Sequence, residues 1–208
     1  MSAAAVIDSY FAHLAEVLRL VPREPICQAL DVLRAARAAG RRVYVIGNGG
    51  SAATASHLVA DLTKTARLPN GPALRCFALA DNTPLLTALA NDTAYERVFA
   101  EQVAALVEPG DVVIAISGSG SSANIVAGLR AAADRGAHTI GLLGFDGGAA
   151  RHLVDVLIHV PCNHYGLVED AHMAIGHALT AALRGLPLPE IGAPGDGAAV
   201  AAASVGDT

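Results

Sequence analysis

Residues 43–51 read Val-Tyr-Val-Ile-Gly-Asn-Gly-Gly-Ser, and residues 52–65 after them have a helical pattern. The β-branched run predicts a buried strand, and the glycines predict a tight turn into the helix. A glycine-rich turn at a helix N-terminus lets backbone N–H groups approach an oxyanion closely, and the helix dipole favours negative charge. This segment, the first loop (47–51), therefore predicts an anion-binding site.

A second segment repeats the layout. Residues 112–116 read Val-Val-Ile-Ala-Ile, residues 117–122 read Ser-Gly-Ser-Gly-Ser-Ser, and a helix is predicted from about Ala123. Serine is a preferred N-cap, so a capped helix is the simpler interpretation. One serine would suffice for a cap, and four hydroxyls with two interleaved glycines favour a phosphate. This second loop (117–122) predicts, with the first, a phosphate or phosphosugar site.

The rest of the chain alternates strands with helices. Further apolar strands are predicted at 74–79, 138–143 and 156–160, with a last helix from about 167 to 183. Nearly continuous apolar strands separated by helices indicate an α/β fold with a parallel sheet covered on both faces. Ligands in such sheets bind at the carboxyl ends of the strands, where both loops lie.

The domain prediction is a single unit over 1–186. It comprises a helical pair in 1–40, whose apolar stripes suit a subunit interface, and an α/β core in 41–186. Residues 187–208 are rich in Ala, Gly and Pro without periodicity, and we expect them to be disordered.

Composition excludes several classes of function. The 208 residues carry a formal net charge of −5 without a basic stripe, which argues against nucleic-acid binding. No apolar run is long and charge-free enough to predict a membrane span, and the N-terminus lacks the basic start of a signal peptide. Three scattered cysteines predict reduced thiols in a cytoplasmic protein.

Histidines and carboxylates form two groups that could bind a metal. His57 and Asp61 are four residues apart and share a helix face. The last helix carries a second group, and the two together suit a divalent ion such as zinc, although solvated side chains are the simpler interpretation. Glu169 and His177 would be about 12 Å apart along a continuous helix, which is too far for both to bind one ion. We therefore expect either that Glu169 lies in the turn before the helix or that Glu169 and His177 come from different subunits. The second group comprises Glu169, Asp170, His172 and His177.

These motifs together resemble those of one family, the phosphoheptose isomerases of the sugar isomerase (SIS) fold, over the chain up to about residue 185. The resemblance implies a three-layer αβα sandwich around a five-stranded parallel sheet, assembled as a homotetramer with active sites at subunit interfaces. The motifs are Gly47–Ser51, His57 to Asp61, Ala90-Asn91-Asp92, Ile116–Asn124, and Val168-Glu169-Asp170-Ala171-His172 to His177.

The resemblance also implies roles for individual residues. The first loop, with the Asn91-Asp92 pair, would contact the sugar, and the second loop its phosphate. One zinc ion per subunit would be bound by four side chains. Asp92 could instead cap the following helix. The implied substrate-binding residues are Asn48, Gly49, Gly50, Ser51, Asn91, Asp92, Ser117, Gly118, Ser119, Ser122 and Glu169, and the implied zinc ligands are His57, Asp61, Glu169 and His177.

The chain departs from the family pattern at several positions. The family usually has Glu where this chain has Asp61, and Gln where it has Glu169. Its phosphate loop usually reads Ser-Thr-Ser-Gly-Asn-Ser. In this chain, therefore, Gly118 lacks the hydroxyl of that Thr, and Ser121 replaces the amide of that Asn. A displacement of about 1 Å at a reacting group can reduce the rate roughly a hundredfold, although Glu169 adds a carboxylate to the same group.

The predicted activity is a ketose–aldose isomerisation through an enediol, converting sedoheptulose 7-phosphate to D-glycero-D-manno-heptose 7-phosphate. Such a reaction needs a base and an acid with pKa values near neutrality. We assign Asp61, or Glu169 in its place, as the base and His177 as the acid, with zinc polarising the C1 and C2 oxygens.

Three alternatives remain open at the level of sequence. The chain could isomerise another sugar phosphate, or sense one without turnover. It could also be a non-catalytic tetramer of the same family that binds the bacterial replication initiator protein. Retention of His57, His177 and two acidic residues argues against this last alternative.

Overall fold

The computed structural model describes residues 2–69, 71–185 and 188, so the predicted disorder of 187–208 lies outside the described residues except for Leu188. The described residues form seven α-helices and five strands, and from β1 onward strands and helices follow one another as the sequence predicts. The helices are α1 (Ala3–Leu20), α2 (Arg23–Ala38), α3 (Gly50–Ala60), α4 (Thr83–Asp92), α5 (Val98–Leu106), α6 (Ala123–Asp134) and α7 (Tyr165–Arg184); the strands are β1 (Arg42–Gly47), β2 (Arg75–Ala78), β3 (Val112–Ser117), β4 (His138–Leu143) and β5 (Val156–His159).

All five strands are parallel and lie in the order β2-β1-β3-β4-β5. This arrangement confirms the predicted α/β sandwich with a five-stranded parallel sheet. Gly47 at the end of β1 pairs with Ile116 of β3. The first and second loops therefore leave the sheet from adjacent strands at the same edge.

Two apolar cores cover the sheet because successive residues of each buried strand point to opposite faces. Val112, Ile114 and Ile116 of β3 pack on one side with α1, α2, α3 and α7. Val113 and Ala115 pack on the other side with α5 and α6. The near-continuous apolar strands that the sequence shows are thus explained by burial on both faces.

Two helix boundaries differ from the prediction. The α-helical part of α3 ends at Ala60, and Asp61–Thr65 continue as a π-helical turn in which the Ala66 N–H donates to the Asp61 carbonyl. Hydrophobic periodicity does not report such a local widening, which often occurs at functional sites. Helix α7 begins at Tyr165 rather than near 167, because the His164 side chain accepts a hydrogen bond from the Leu167 N–H and caps it.

Helix α1 packs only part of its apolar surface within the protomer. Tyr10, Leu14 and Val17 contact the core, whereas Ile7 and Phe11 are 56% and 64% exposed. None of the described helices has the length and hydropathy of a membrane-spanning segment.

Candidate active site

The first loop turns sharply between β1 and α3. Gly49 has a φ of +54°, which L side chains rarely adopt, and helix α3 begins at the next residue. Gly49 and Gly50 are exposed, while Ser51 is buried. The backbone of the loop is therefore accessible at the N-terminus of an eleven-residue helix, where an anion is favoured.

The second loop is held by its own hydrogen bonds. The buried Ser117 hydroxyl accepts from the Gly120 N–H at 3.0 Å, and the Ser119 hydroxyl accepts from the Ser121 N–H at 3.3 Å. Ser122 precedes α6 but makes no side-chain capping bond. The capped-helix interpretation does not account for Ser122, whose hydroxyl has no hydrogen-bond partner within the described part of the chain.

Gly118 lies in close contact with an aromatic ring. A Cβ atom built on Gly118 would lie 2.8 Å from two ring carbons of Tyr165, at the start of α7. The Tyr165 ring also packs on Phe145, with ring centroids 4.7 Å apart. At position 118, where the chain lacks the family's hydroxyl, an aromatic ring lies so close that it would have to shift to admit a side chain.

Asn48 joins the first loop to the helix that follows the second loop. Its amide pairs reciprocally with the amide of Asn124, in the first turn of α6, through two 2.8 Å hydrogen bonds. The Tyr95 hydroxyl donates to Oδ1 of Asn48 at 3.0 Å. Asn124 lies within a motif of the sequence, but no role was predicted for it. Tyr95 was not predicted either, because 47 residues separate it from Asn48.

His57, Asp61 and His177 converge to form the histidine–carboxylate cluster. Oδ2 of Asp61 lies 3.6 Å from Nε2 of His57 and 3.7 Å from Nε2 of His177, and the two Nε2 atoms are 3.0 Å apart. One potential ligand atom from each residue lies within 4.8 Å of the others. Both imidazoles are about half exposed, whereas the Asp61 side chain is 19% exposed and its Oδ1 accepts from the Thr65 hydroxyl at 3.1 Å.

Glu169 lies outside this cluster in the protomer. It belongs to the second turn of α7, so the alternative that it precedes the helix is wrong. The alternative that Glu169 and His177 meet from different subunits stays a prediction. Its carboxylate packs against the first loop, where a Cβ built on Gly50 would overlap both of its oxygens. Its assignment as a fourth metal ligand remains a prediction.

Asn91 and Asp92 are exposed at the end of α4, and the Asn91 amide donates to Oδ1 of Asp92 at 2.9 Å. The alternative that Asp92 caps the following helix is wrong, because Asp92 ends α4 and Ala94 precedes the next helical turn. The pair's role in binding sugar hydroxyls stays a prediction.

The second polar group of the sequence analysis does not form one site. Asp170 accepts a 2.6 Å hydrogen bond from the Tyr10 hydroxyl of α1, which raises the pKa of Tyr10 to about 12. His172 is completely buried, and neither ring nitrogen has a hydrogen-bond partner among the described residues. Burial lowers the pKa of His172 to about 4.

Comparison with known proteins places this geometry in a family. Residues 9–144 match the family model of the SIS domain. The chain is 44% identical over 154 residues to a phosphoheptose isomerase of Geotalea daltonii, covering 74% of this chain and 80% of that protein. It is 42% identical over 182 residues to that of Paramagnetospirillum magneticum, covering 86% and 94%.

The chain belongs to the phosphoheptose isomerase family. A solved structure of the Neisseria gonorrhoeae phosphoheptose isomerase is similar to it, with a TM-score of 0.82 and 31% identity, covering 89% of this chain and all of that one. These findings confirm the resemblance seen in the loop and histidine motifs. The chain is therefore an enzyme of an aldose–ketose isomerase family.

Proposed function

We propose that the protein interconverts a ketose phosphate and an aldose phosphate, with sedoheptulose 7-phosphate and D-glycero-D-manno-heptose 7-phosphate as the pair. The observation that carries this proposal is the convergence of His57, Asp61 and His177 from two helices. Relatives named phosphoheptose isomerases at 42–44% identity support the choice of sugar.

The cluster fits a divalent metal ion. Two imidazoles and one carboxylate, with a ligand atom from each within 4.8 Å of the others, are the donor set of catalytic zinc sites that keep one position open for substrate. We propose zinc, bound by His57, Asp61 and His177 of one chain. Glu169 lies against Gly50 in the same chain, so as a further ligand it would come from a different subunit. When bound, the ion would polarise the substrate oxygens at C1 and C2.

Asp61 and His177 are the proposed base and acid. Isomerisation removes a proton from one carbon and supplies one to the neighbouring position, so the two groups must reach adjacent atoms. Asp61 Oδ2 and His177 Nε2 are 3.7 Å apart, so the two side chains can face one substrate. With the ion bound at Nε2, the proton of His177 would be carried by its other ring nitrogen, Nδ1. Glu169, the alternative base, lies instead against Gly50, where its carboxylate would accept a hydrogen bond from a sugar hydroxyl.

The second loop is the proposed phosphate site. Ser117, Ser119 and Ser122 surround a glycine-rich turn at the N-terminus of α6, which favours an anion. The phosphate is remote from the reacting carbons, so the binding energy of its contacts with the loop would position the sugar for reaction. The first loop and Asn91-Asp92 would hold the remainder of the substrate.

A homotetramer is the proposed assembly. The exposed apolar side chains of α1, among them Val6, Ile7 and Phe11, would be buried between subunits. Light scattering on the purified protein should give a mass near four times the 21.0 kDa of one chain, and Phe11→Glu should lower it. A monomer at micromolar concentration would refute this assembly.

The activity is tested by assaying the purified protein with sedoheptulose 7-phosphate beside a panel of pentose and hexose phosphates. Asp61→Asn and His177→Ala should each lose at least a hundredfold in turnover. His152→Ala, which removes an exposed histidine outside the cluster, should leave turnover unchanged. Near-wild-type turnover in both cluster variants would overturn the assigned roles, and a preference for another sugar would overturn the substrate.

A further inference from the structure

The amide oxygen of Asn48 has no capacity left for a ligand. A carbonyl oxygen has two lone pairs, and Oδ1 of Asn48 already accepts from Nδ2 of Asn124 at 2.8 Å and from the Tyr95 hydroxyl at 3.0 Å. Nδ2 of Asn48 carries two protons and donates one of them to Oδ1 of Asn124. The other N–H of Asn48 has no acceptor among the described residues.

The orientation of this amide is determined by the backbone. The N–H of Ile125, which can only donate, points to Oδ1 of Asn124 at 2.9 Å. The other atom of the Asn124 amide must then be the nitrogen, and it requires an acceptor. Asn124 is 2% exposed, so water does not compete for that bond, and Asn48 presents its oxygen to Asn124.

We infer that Asn48 offers its substrate a hydrogen-bond donor and no acceptor, and that Tyr95 and Asn124 are the positioning residues that enforce this. The inference rests on the proposed function for the contact between Asn48 and the sugar phosphate. The atom that Asn48 recognises is then an acceptor oxygen. Tyr95 follows the exposed Asn91-Asp92 pair by three residues, so the same contact ties that segment to the first loop.

The first test compares two tyrosine variants that each lose one hydroxyl bond. Tyr95→Phe should lower kcat/KM by up to about tenfold, since one hydrogen bond of ordinary strength is lost. Tyr44→Phe is the matched control, because the Tyr44 hydroxyl donates a single bond to the Leu106 carbonyl. It should leave kcat/KM unchanged, and equal kcat/KM in the two variants would overturn the inference.

The second test replaces Asn48 itself. Asp has nearly the same shape as Asn but places an acceptor oxygen where the N–H of Asn48 was. Under conditions in which both variants are folded, Asn48→Asp should therefore have a lower kcat/KM than Asn48→Ala. Greater activity in Asn48→Asp than in Asn48→Ala would show that Asn48 acts as an acceptor and would overturn the inference.

A spectroscopic measurement separates this inference from the proposed function. If the wild-type protein turns over no sugar phosphate, the proposed function fails. NMR of the unliganded protein still tests whether Tyr95 holds the Asn48 amide, because it needs no substrate. The side-chain amide signals of Asn48, assigned by their absence in Asn48→Asp, should shift in Tyr95→Phe and stay unchanged in Tyr44→Phe. Unshifted signals in Tyr95→Phe would overturn the inference.

Discussion

The Nε2 atoms of His57 and His177 lie 3.0 Å apart although 120 residues separate them. Helices α3 and α7 pack side by side on one face of the sheet, which brings the two imidazoles together beside Asp61. Each ring is about half exposed, so the cluster is open to solvent on one side. A cation held between the two nitrogens would explain why both approach the same carboxylate.

Metal binding should depend on both histidines. Elemental analysis of the purified protein should find zinc at about one ion per chain. His57→Ala or His177→Ala should each weaken zinc binding more than about a hundredfold, because even residues that only hydrogen-bond to a metal ligand commonly contribute 10- to 100-fold to metal affinity. Calorimetric titration with zinc checks this without an activity assay. His152→Ala is the control, and unchanged affinity in both cluster variants would exclude a zinc site here.

The two carboxylates should respond differently to removal of charge. Asp61→Asn should lower kcat by about 10²- to 10⁴-fold, as expected for a lost general base. Glu169→Gln keeps the shape of the side chain beside Gly50 and should lower kcat/KM about tenfold at most, since a hydrogen bond to a charged acceptor becomes a neutral one. Steady-state kinetics compares them, and an equal loss in Glu169→Gln would make Glu169 the base.

A side chain at position 118 should conflict with Tyr165. Gly118→Thr puts a Cβ 2.8 Å from the ring of Tyr165, so the ring must shift. Because Tyr165 is 57% exposed, the cost should lie at the low end of the about 1–3 kcal/mol that is typical of overpacking. The variant should unfold at a lower temperature and bind sugar phosphate more weakly. Adding Tyr165→Ala should restore both properties relative to Gly118→Thr alone, with Tyr165→Ala by itself as the control; a fully stable Gly118→Thr protein would contradict the contact.

Stability should fall in mild acid because of His172. Its pKa is about 4 in the folded protein and near 6.5 in the unfolded chain, so below pH 6.5 the unfolded chain binds a proton that the folded protein does not. The free energy of unfolding should therefore decrease by about 3 kcal/mol between pH 6.5 and pH 4 through this residue. Above pH 6.5 both states are neutral and the contribution disappears.

His172→Leu isolates this contribution. The substitution keeps an approximately similar volume and removes two buried nitrogens that have no partners among the described residues, so it should be neutral or stabilising at pH 7.5. Urea unfolding at pH 7.5 and pH 5, in chelator, should show a smaller decrease in stability for the variant than for wild type. The same decrease in both proteins would show that His172 does not carry the effect.

Local sequence predicted the elements of the fold well because their causes are local. Glycines between a β-branched run and a helical run predicted both loops, and the apolar strands predicted burial on both faces, as the alternate packing of Val113 and Ile114 confirms. The π-helical turn after Ala60 and the start of α7 at Tyr165 were missed, because a single widened turn or a histidine cap leaves no periodic pattern.

By itself, the chain's sequence determined which residue types were present for chemistry: two imidazoles, two acidic side chains, a serine loop and a glycine turn. Only the packing of α3 against α7 decided that His57, Asp61 and His177 meet while Glu169 lies instead at Gly50. Likewise, the pairing of β1 with β3 brought Asn48 to Asn124. The reason is that contacts between residues distant in sequence depend on sheet order and helix packing, which local patterns of residues do not encode.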